Sequence, residues 1–344
     1  MPGNTAQFPF SRGFNFSKWF EAPDIRKIKF NRFTEQDFIN VKSLGADVIR
    51  LPIAVHNYTL GAPDYTLEPL LVQYLDAAAD WAEKHQLCII IDNHSFHPVE
   101  PTDPNIDRIL LKVWAQLADH FKDRSDYMIY EVLNEPHGIP DGRWGEIQGM
   151  AIETIRSIDK KHAVIVGGTE YNSIGKLSSI PKYADQNLIY TFHFYDPHIF
   201  THQGASWNRP SLEPLAGVPF PADKKRMPPT PAEHKGTWVE EGILRYEQAA
   251  TFSALSATLD KAAAFAKERN VPVFCGEFGV YMIQSPAEDR VKWYEFVCDA
   301  LNKRDIPWAS WDYFGGFGIF KTDRGGDFTT DLNTGVVRAM GFTP

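Results

Sequence analysis

The chain reads as an α/β protein of the (β/α)8 barrel type, a single domain spanning residues 1–344. Three observations carry that expectation. Short β-branched and aromatic runs alternate with longer amphipathic segments from one end to the other, the pattern of repeated βα units around a parallel sheet. Eight such runs can be counted. No Gly-rich phosphate turn follows the first of them, as a doubly wound nucleotide-binding sheet would require.

The eight runs are approximately Arg12 to Phe16, Asp47 to Ile53, Leu87 to His94, Tyr127 to Asn134, Ala163 to Gly168, Leu188 to Tyr195, Val271 to Glu277 and Trp308 to Tyr313. Between them, segments such as EPLLVQYLDAAADWAEKHQ and SALSATLDKAAAFAKERN repeat apolar residues at helical spacing. Seven intervening helices and a last helical segment near Leu332 to Met340 complete the barrel. One region breaks the rhythm. Residues 198–242, after the sixth run, are Pro-rich and carry Trp207 and Trp238, and a loop of that length in a compact domain is usually functional. It leaves the carboxyl end of a strand, where barrel active sites are assembled, and is therefore expected to wall a substrate cleft.

Composition narrows the function. With 43% hydrophobic and 13% aromatic residues, nine of them Trp, the chain can bury a sizeable core. A net charge of -9 argues against nucleic acid or an anionic membrane as partner, since either needs a basic face. No apolar run reaches the roughly 20 residues of a membrane span, and MPGNTAQFPF lacks the basic end and apolar run of a signal peptide. The three cysteines, Cys88, Cys275 and Cys298, form no close-spaced pattern and are expected as buried free thiols.

A parallel barrel delivers every strand's last residues to one face, so the chemistry can be read from those endings. They are polar: Arg50-Leu51-Pro52, Asp92-Asn93-His94, Asn134-Glu135-Pro136, His193-Phe194-Tyr195-Asp196-Pro197, Gly276-Glu277-Phe278-Gly279 and Ser310-Trp311-Asp312. Pro136 lacks an N–H, so the fourth strand is expected to stop there and leave Glu135 at the mouth. Glu135 and Glu277 then face each other across one cleft. Opposed carboxylates perform glycoside hydrolysis, one giving a proton to the leaving oxygen while the other attacks or activates water. Arg50 and the Tyr195 hydroxyl are placed to hold Glu277 ionised. Glu135, in an enclosed cleft, is expected to stay protonated through desolvation.

At these motifs, LNEP with Glu135, GEFG with Glu277, RLP with Arg50, HFY with His193 and Tyr195, and SWDYFGGFG with Trp311, the chain resembles glycoside hydrolase family 5, the cellulase-type retaining (β/α)8 glycosidases. RSIDKKH and FTHQGASW resemble its bacterial endoglucanase branch, some of whose members also cut mannan. The resemblance implies a retaining endo-β-1,4-glucanase without cofactor or metal, with Glu135 as acid/base and Glu277 as nucleophile. Arg50 and Tyr195 would support Glu277, Asn134 would bind the sugar 2-hydroxyl, and His94 and His193 would line the subsite of the cleaved sugar. Trp311 would be the aromatic floor, Trp207 and Tyr171 platforms for further sugars, and Glu21 a substrate contact. Two positions depart from the family pattern: Ser95 follows His94 where a second His is usual, and Lys18 stands where Asn is expected. Both bear on the glycone-side contacts.

A β-mannanase or mixed-linkage glucanase is the alternative within this class. Outside it stand a metal-dependent hydrolase built on Asp92, His94, His97, His193 and His198, and a non-catalytic carbohydrate-binding barrel. A polymeric substrate implies secretion or periplasmic placement, with cytoplasmic action on imported oligosaccharides as the alternative, and a cleft enzyme of this size is expected to work as a monomer.

Overall fold

A computed structural model describes residues 8–344. Eight parallel strands close into a barrel in sequence order. They are β1 (Arg12–Asn15), β2 (Val48–Ile53), β3 (Cys88–Asn93), β4 (Met128–Glu131), β5 (Ala163–Gly167), β6 (Leu188–Phe194), β7 (Val273–Phe278) and β8 (Trp308–Ser310). Parallel strands buried on both sides read as continuous apolar runs, which is why these segments stood out.

The helices follow from their caps and faces. Residues Pro69–Lys84 begin with proline at the first turn, where its missing N–H costs nothing, and bury Leu71, Leu75, Ala78, Ala79 and Ala82. Phe252–Arg269 is capped by the Thr251 side chain, which accepts from Ala254 N, and ends at Asn270 in the left-handed conformation. No described helix is long and apolar enough to cross a membrane. The three cysteines are buried and unbridged.

Three expectations need correction. Between β5 and β6 no long helix forms; the connection is a kinked turn at Thr169–Asn172 and a 3-10 segment at Ile174–Ser179. Fewer than 21 residues are available there, and Pro181 interrupts the helical pattern. The fourth strand stops pairing at Glu131, not at Pro136, so Asn134 and Glu135 stand beyond the ladder. The 198–242 region is also not a bare loop. It holds helices at His198–Thr201 and Trp238–Leu244, and its Leu212, Leu215, Val218, Phe220 and Val239 are buried.

Side-chain parity divides the barrel interior into two levels. Val48, Ile90, Ile129, Ile165, Ile189, Phe274 and Ala309 close its amino-terminal end around Phe10. Two residues further along the same faces stand Arg50, Asp92 and Glu131, all buried. An apolar plug therefore supports a polar, charged level that opens into the mouth.

Candidate active site

Arg50 occupies the centre of that level. Its side chain is fully buried, and each of its five N–H donors finds an acceptor. Nε and Nη2 hold Glu131 in a fork at 2.7 and 2.9 Å, Nη1 donates to Asn15 Oδ1 at 2.9 Å and Glu277 Oε1 at 2.7 Å, and Nη2 reaches Asn134 Oδ1 at 2.8 Å. Asp92 Oδ2 lies 3.0 Å from the same Nη2. One guanidinium thus serves three buried carboxylates. Burial alone would lower its pKa, but Asp92, Glu131 and Glu277 push it well above its ordinary value, so it stays charged.

Glu277 reaches this centre through an irregularity in β7. Phe274 points inward and Cys275 outward, so strict alternation would turn residue 277 away from the barrel axis. The ladder slips between Phe192 and His193, pairing Phe192 with Cys275 and His193 with Glu277. That bulge re-aims Glu277 inward. Gly276 makes it possible: a Cβ there would stand 2.8 Å from Thr191 Oγ1 and 3.1 Å from His193 Nε2. Glu277 then accepts from Arg50 on one oxygen and from the Tyr195 hydroxyl, 2.9 Å away, on the other.

Glu135 is placed by a different device. Its φ of 45° lies in the left-handed region, a costly conformation for a residue with a side chain. Asn134 N donates to Asn93 O at 2.9 Å and Tyr171 N to Pro136 O at 3.3 Å, which tie the turn to both neighbouring strands. The Glu135 carboxyl has no guanidinium; its Oε1 lies 2.6 Å from His193 Nδ1. Burial pushes Glu135 up to about 7 and pushes the His193 imidazole down to about 4. Burial also raises Glu277, where His193 and Arg50 oppose it. The two carboxyls therefore differ in their partners. Glu277 has two fixed donors that favour its charged form, and Glu135 has a neutral imidazole. The Tyr195 hydroxyl, raised by burial and by Glu277, remains a proton donor.

The other anticipated residues gather around this pair. His94 Nδ1 meets Asp92 Oδ2 at 2.7 Å, and its Nε2 lies 3.3 Å from Asn134 Nδ2 and 3.9 Å from Glu21 Oε1. Trp311 stacks on His94 with ring centres 5.5 Å apart. Trp207 meets Tyr281 edge to face at 5.0 Å, while Tyr171 stacks on His137 at 4.2 Å. One cleft of about 970 Å³ is lined by Glu21, His94, Glu135, Tyr171, His193, Tyr195, Trp207, Glu277 and Trp311. Arg50 and Asn134 lie beneath its floor. Ser95 turns away from the sugar side and accepts from His56 N at 2.9 Å, whereas Lys18 lines the cleft.

Sequence reasoning overlooked Glu131, Asn15 and Asn172. Glu131 was visible as an acid inside an otherwise apolar run, a position that demands a buried cation. Asn172 Nδ2 approaches His193 Nε2 at 3.5 Å from a run of left-handed residues, Glu170 to Asn172, for which the sequence offers no signal.

The metal set is not assembled as anticipated. His97 is exposed, with Nδ1 accepting from Val99 N and Glu100 N, and His198 pairs with Asn208. Among the described residues one different trio, Glu135, His193 and Glu277, offers ligand atoms all within 4.8 Å of one another. Its donors are already engaged, and the Arg50 guanidinium at 2.7 Å from Glu277 opposes a second cation.

The family model for cellulase, glycosyl hydrolase family 5, matches residues 6–315. The chain belongs to glycosyl hydrolase family 5. It is a glycoside hydrolase by that membership, and known members resemble it along most of its length. Endoglucanase 3 of Fibrobacter succinogenes is 29% identical over 91% of this chain, which spans 51% of that relative's length. Endoglucanase C of Acetivibrio thermocellus is 27% identical over 92% of this chain and 94% of its own. Among solved structures, Thermotoga maritima Cel5A in complex with mannotriose superposes with a TM-score of 0.80 at 27% identity, covering 96% of this chain and 97% of that one. The family-5 barrel explains the order of the polar strand ends.

Proposed function

We propose that this family-5 hydrolase is a retaining endo-β-1,4-glucanase. The observation that carries the reading is the separation of its two cleft carboxyls. An oxygen of Glu135 and an oxygen of Glu277 lie within 4.8 Å of each other. Retaining enzymes hold their carboxyl groups about 5–5.5 Å apart, whereas inverting ones need about 6.5–9.5 Å to admit water between acid and base. Here no such room exists.

The differing environments assign the roles. Glu277, ionised between Arg50 and Tyr195, attacks the anomeric carbon and forms a glycosyl ester as the C–O bond to the leaving sugar breaks. Glu135, kept protonated by burial, gives its proton to the departing oxygen. In the second half Glu135, now a carboxylate, takes a proton from water, whose oxygen attacks the anomeric carbon and releases Glu277. Asn134, fixed by Arg50, offers its Nδ2 to the sugar 2-hydroxyl, a bond that strengthens as oxocarbenium character develops. His94 and Glu21 are hydrogen-bond partners for the same sugar, and Trp311 supports its apolar face. Trp207 and Tyr171 serve sugars further along.

Cleavage of mannan is a second reading. A C2 epimer changes one hydroxyl, and the solved relative at 27% identity was captured with mannotriose. Polymeric substrates place the work outside the cytoplasm, in the medium or periplasm, and a complete cleft in one chain is compatible with action as a monomer. The test is reducing-sugar release from carboxymethylcellulose, mixed-linkage β-glucan and soluble mannan, with NMR of the first-formed anomer. Net retention on glucan is expected. Inversion, or release from none of the three, sinks the reading.

A further inference from the structure

The 198–242 insertion carries a second exposed indole that the mechanism above does not use. Trp238 is 40% exposed although it opens a helix whose next residue, Val239, is fully buried. The helix start is fixed by Thr237, whose side chain accepts from Val239 N. The indole is fixed as well, because Nε1 donates to Arg209 O at 3.0 Å. That bond spends the ring's only polar atom on the protein and leaves an apolar face outward.

A lone exposed Trp is ordinary on a protein surface. Trp238 differs in its position, since it lines the same cleft as Glu135 and Glu277. A file of rings leads to it from the nucleophile. Tyr195, bonded to Glu277, lies 4.9 Å from His202; His202 stacks on His198 at 3.9 Å; His198 lies 5.8 Å from Trp238. The other cleft residues, His94, Glu21 and Trp311, connect to Glu277 by a separate route through Asn134 and Arg50. The insertion beneath the indole is anchored rather than loose: His234 Nε2 meets Ser211 O at 2.8 Å, and the Tyr246 hydroxyl donates to Pro219 O at 2.6 Å. A rigid indole at the far end of an aromatic-lined groove is suited to the apolar face of a pyranose.

We propose that Trp238 is a distal sugar platform, which binds a ring of a β-1,4-linked oligosaccharide too long to be held near the glutamates alone. The inference rests on the endoglucanase reading and adds a position to its cleft, supplied by the insertion. It predicts a preference for long chains that depends on one side chain.

The test compares kcat/KM on cellotriose and cellohexaose for the wild type, Trp238→Ala and Trp238→Phe, and measures cellohexaose binding to Glu277→Ala with and without Trp238→Ala. Loss of one aromatic contact should lower the hexaose-to-triose ratio about threefold to tenfold in Trp238→Ala, mainly through KM. Trp238→Phe, which keeps an aromatic face, should recover most of it. Cellohexaose affinity should fall by a similar factor in the inactive background. A ratio that moves less than twofold, or equal losses on both sugars, overturns the platform. If the wild type cleaves neither sugar while Trp238→Ala still weakens hexaose binding, the platform stands and the endoglucanase reading falls.

Discussion

Arg50→Lys is the substitution that most directly tests the architecture of the site. The guanidinium makes five hydrogen bonds to Asn15, Glu131, Asn134 and Glu277 from a position with no solvent exposure. An ammonium has three donors and no planar fork, so at least two of the five bonds are lost. Each buried acceptor left without a partner costs about 1–3 kcal/mol, so the variant should be less stable by about 2–6 kcal/mol in urea unfolding followed by Trp fluorescence. The loss should also appear in catalysis. A hydrogen bond between charged groups contributes about 1.5–3 kcal/mol, and its removal from Glu277 predicts a fall in kcat/KM of about 10- to 150-fold. Arg50 holds the Glu277 pKa down against burial. Displacing the positive charge raises that pKa, so the acid limb of the kcat/KM profile moves to higher pH. Stability within about 1 kcal/mol of wild type, together with an unmoved acid limb, would refute the account of Arg50 as the common support of the site.

Glu277→Ala should lose on the order of 10⁴-fold or more in rate on glucan, with partial recovery by azide attacking from the vacated side, read as glycosyl azide formation. In the wild type kcat/KM should decline as pH rises through about 7, because the acid then gives up the proton that burial had retained. Glu135→Gln should abolish that alkaline limb, costing about 10²- to 10⁴-fold on glucan and far less on a dinitrophenyl cellobioside, whose leaving group needs no proton. Gly276→Ala should destabilise by about 1–3 kcal/mol in thermal or urea unfolding, since its Cβ meets Thr191 Oγ1 at 2.8 Å. It should also reduce kcat more than it changes KM by displacing Glu277.

The barrel was legible because its parallel strands are buried on both faces and leave unbroken apolar runs, and because chemistry-bearing residues collect at one end of every run. Element boundaries were less so. The run Tyr127 to Asn134 looks like one strand, yet pairing ends at Glu131, because the chain must turn so that residue 135 can adopt a left-handed backbone. The β5–β6 connection misled for a related reason. Its first residues are spent on the left-handed turn that brings Asn172 toward His193, leaving too few for a helix.

The site divides along the same line. Glu135, Glu277, Arg50 and Tyr195 could be anticipated because catalysis at a carbohydrate requires acids in contrasted surroundings. What periodicity could not supply was the means of contrast. Strict alternation from Phe274 would aim Glu277 outward, and only the slip at Gly276 turns it toward Arg50; glycine inside a strand is the local sign of such a bulge. Glu131 was similarly hidden by its neighbours, since an acid between Tyr130 and Val132 resembles an ordinary rim residue until Arg50 is found beneath it. The unequal partners of the two catalytic carboxyls follow from this buried layer. Glu131 and Asp92 fix the guanidinium in a position from which it reaches Glu277 but makes no hydrogen bond to Glu135, so one acid can remain charged while burial keeps the other protonated.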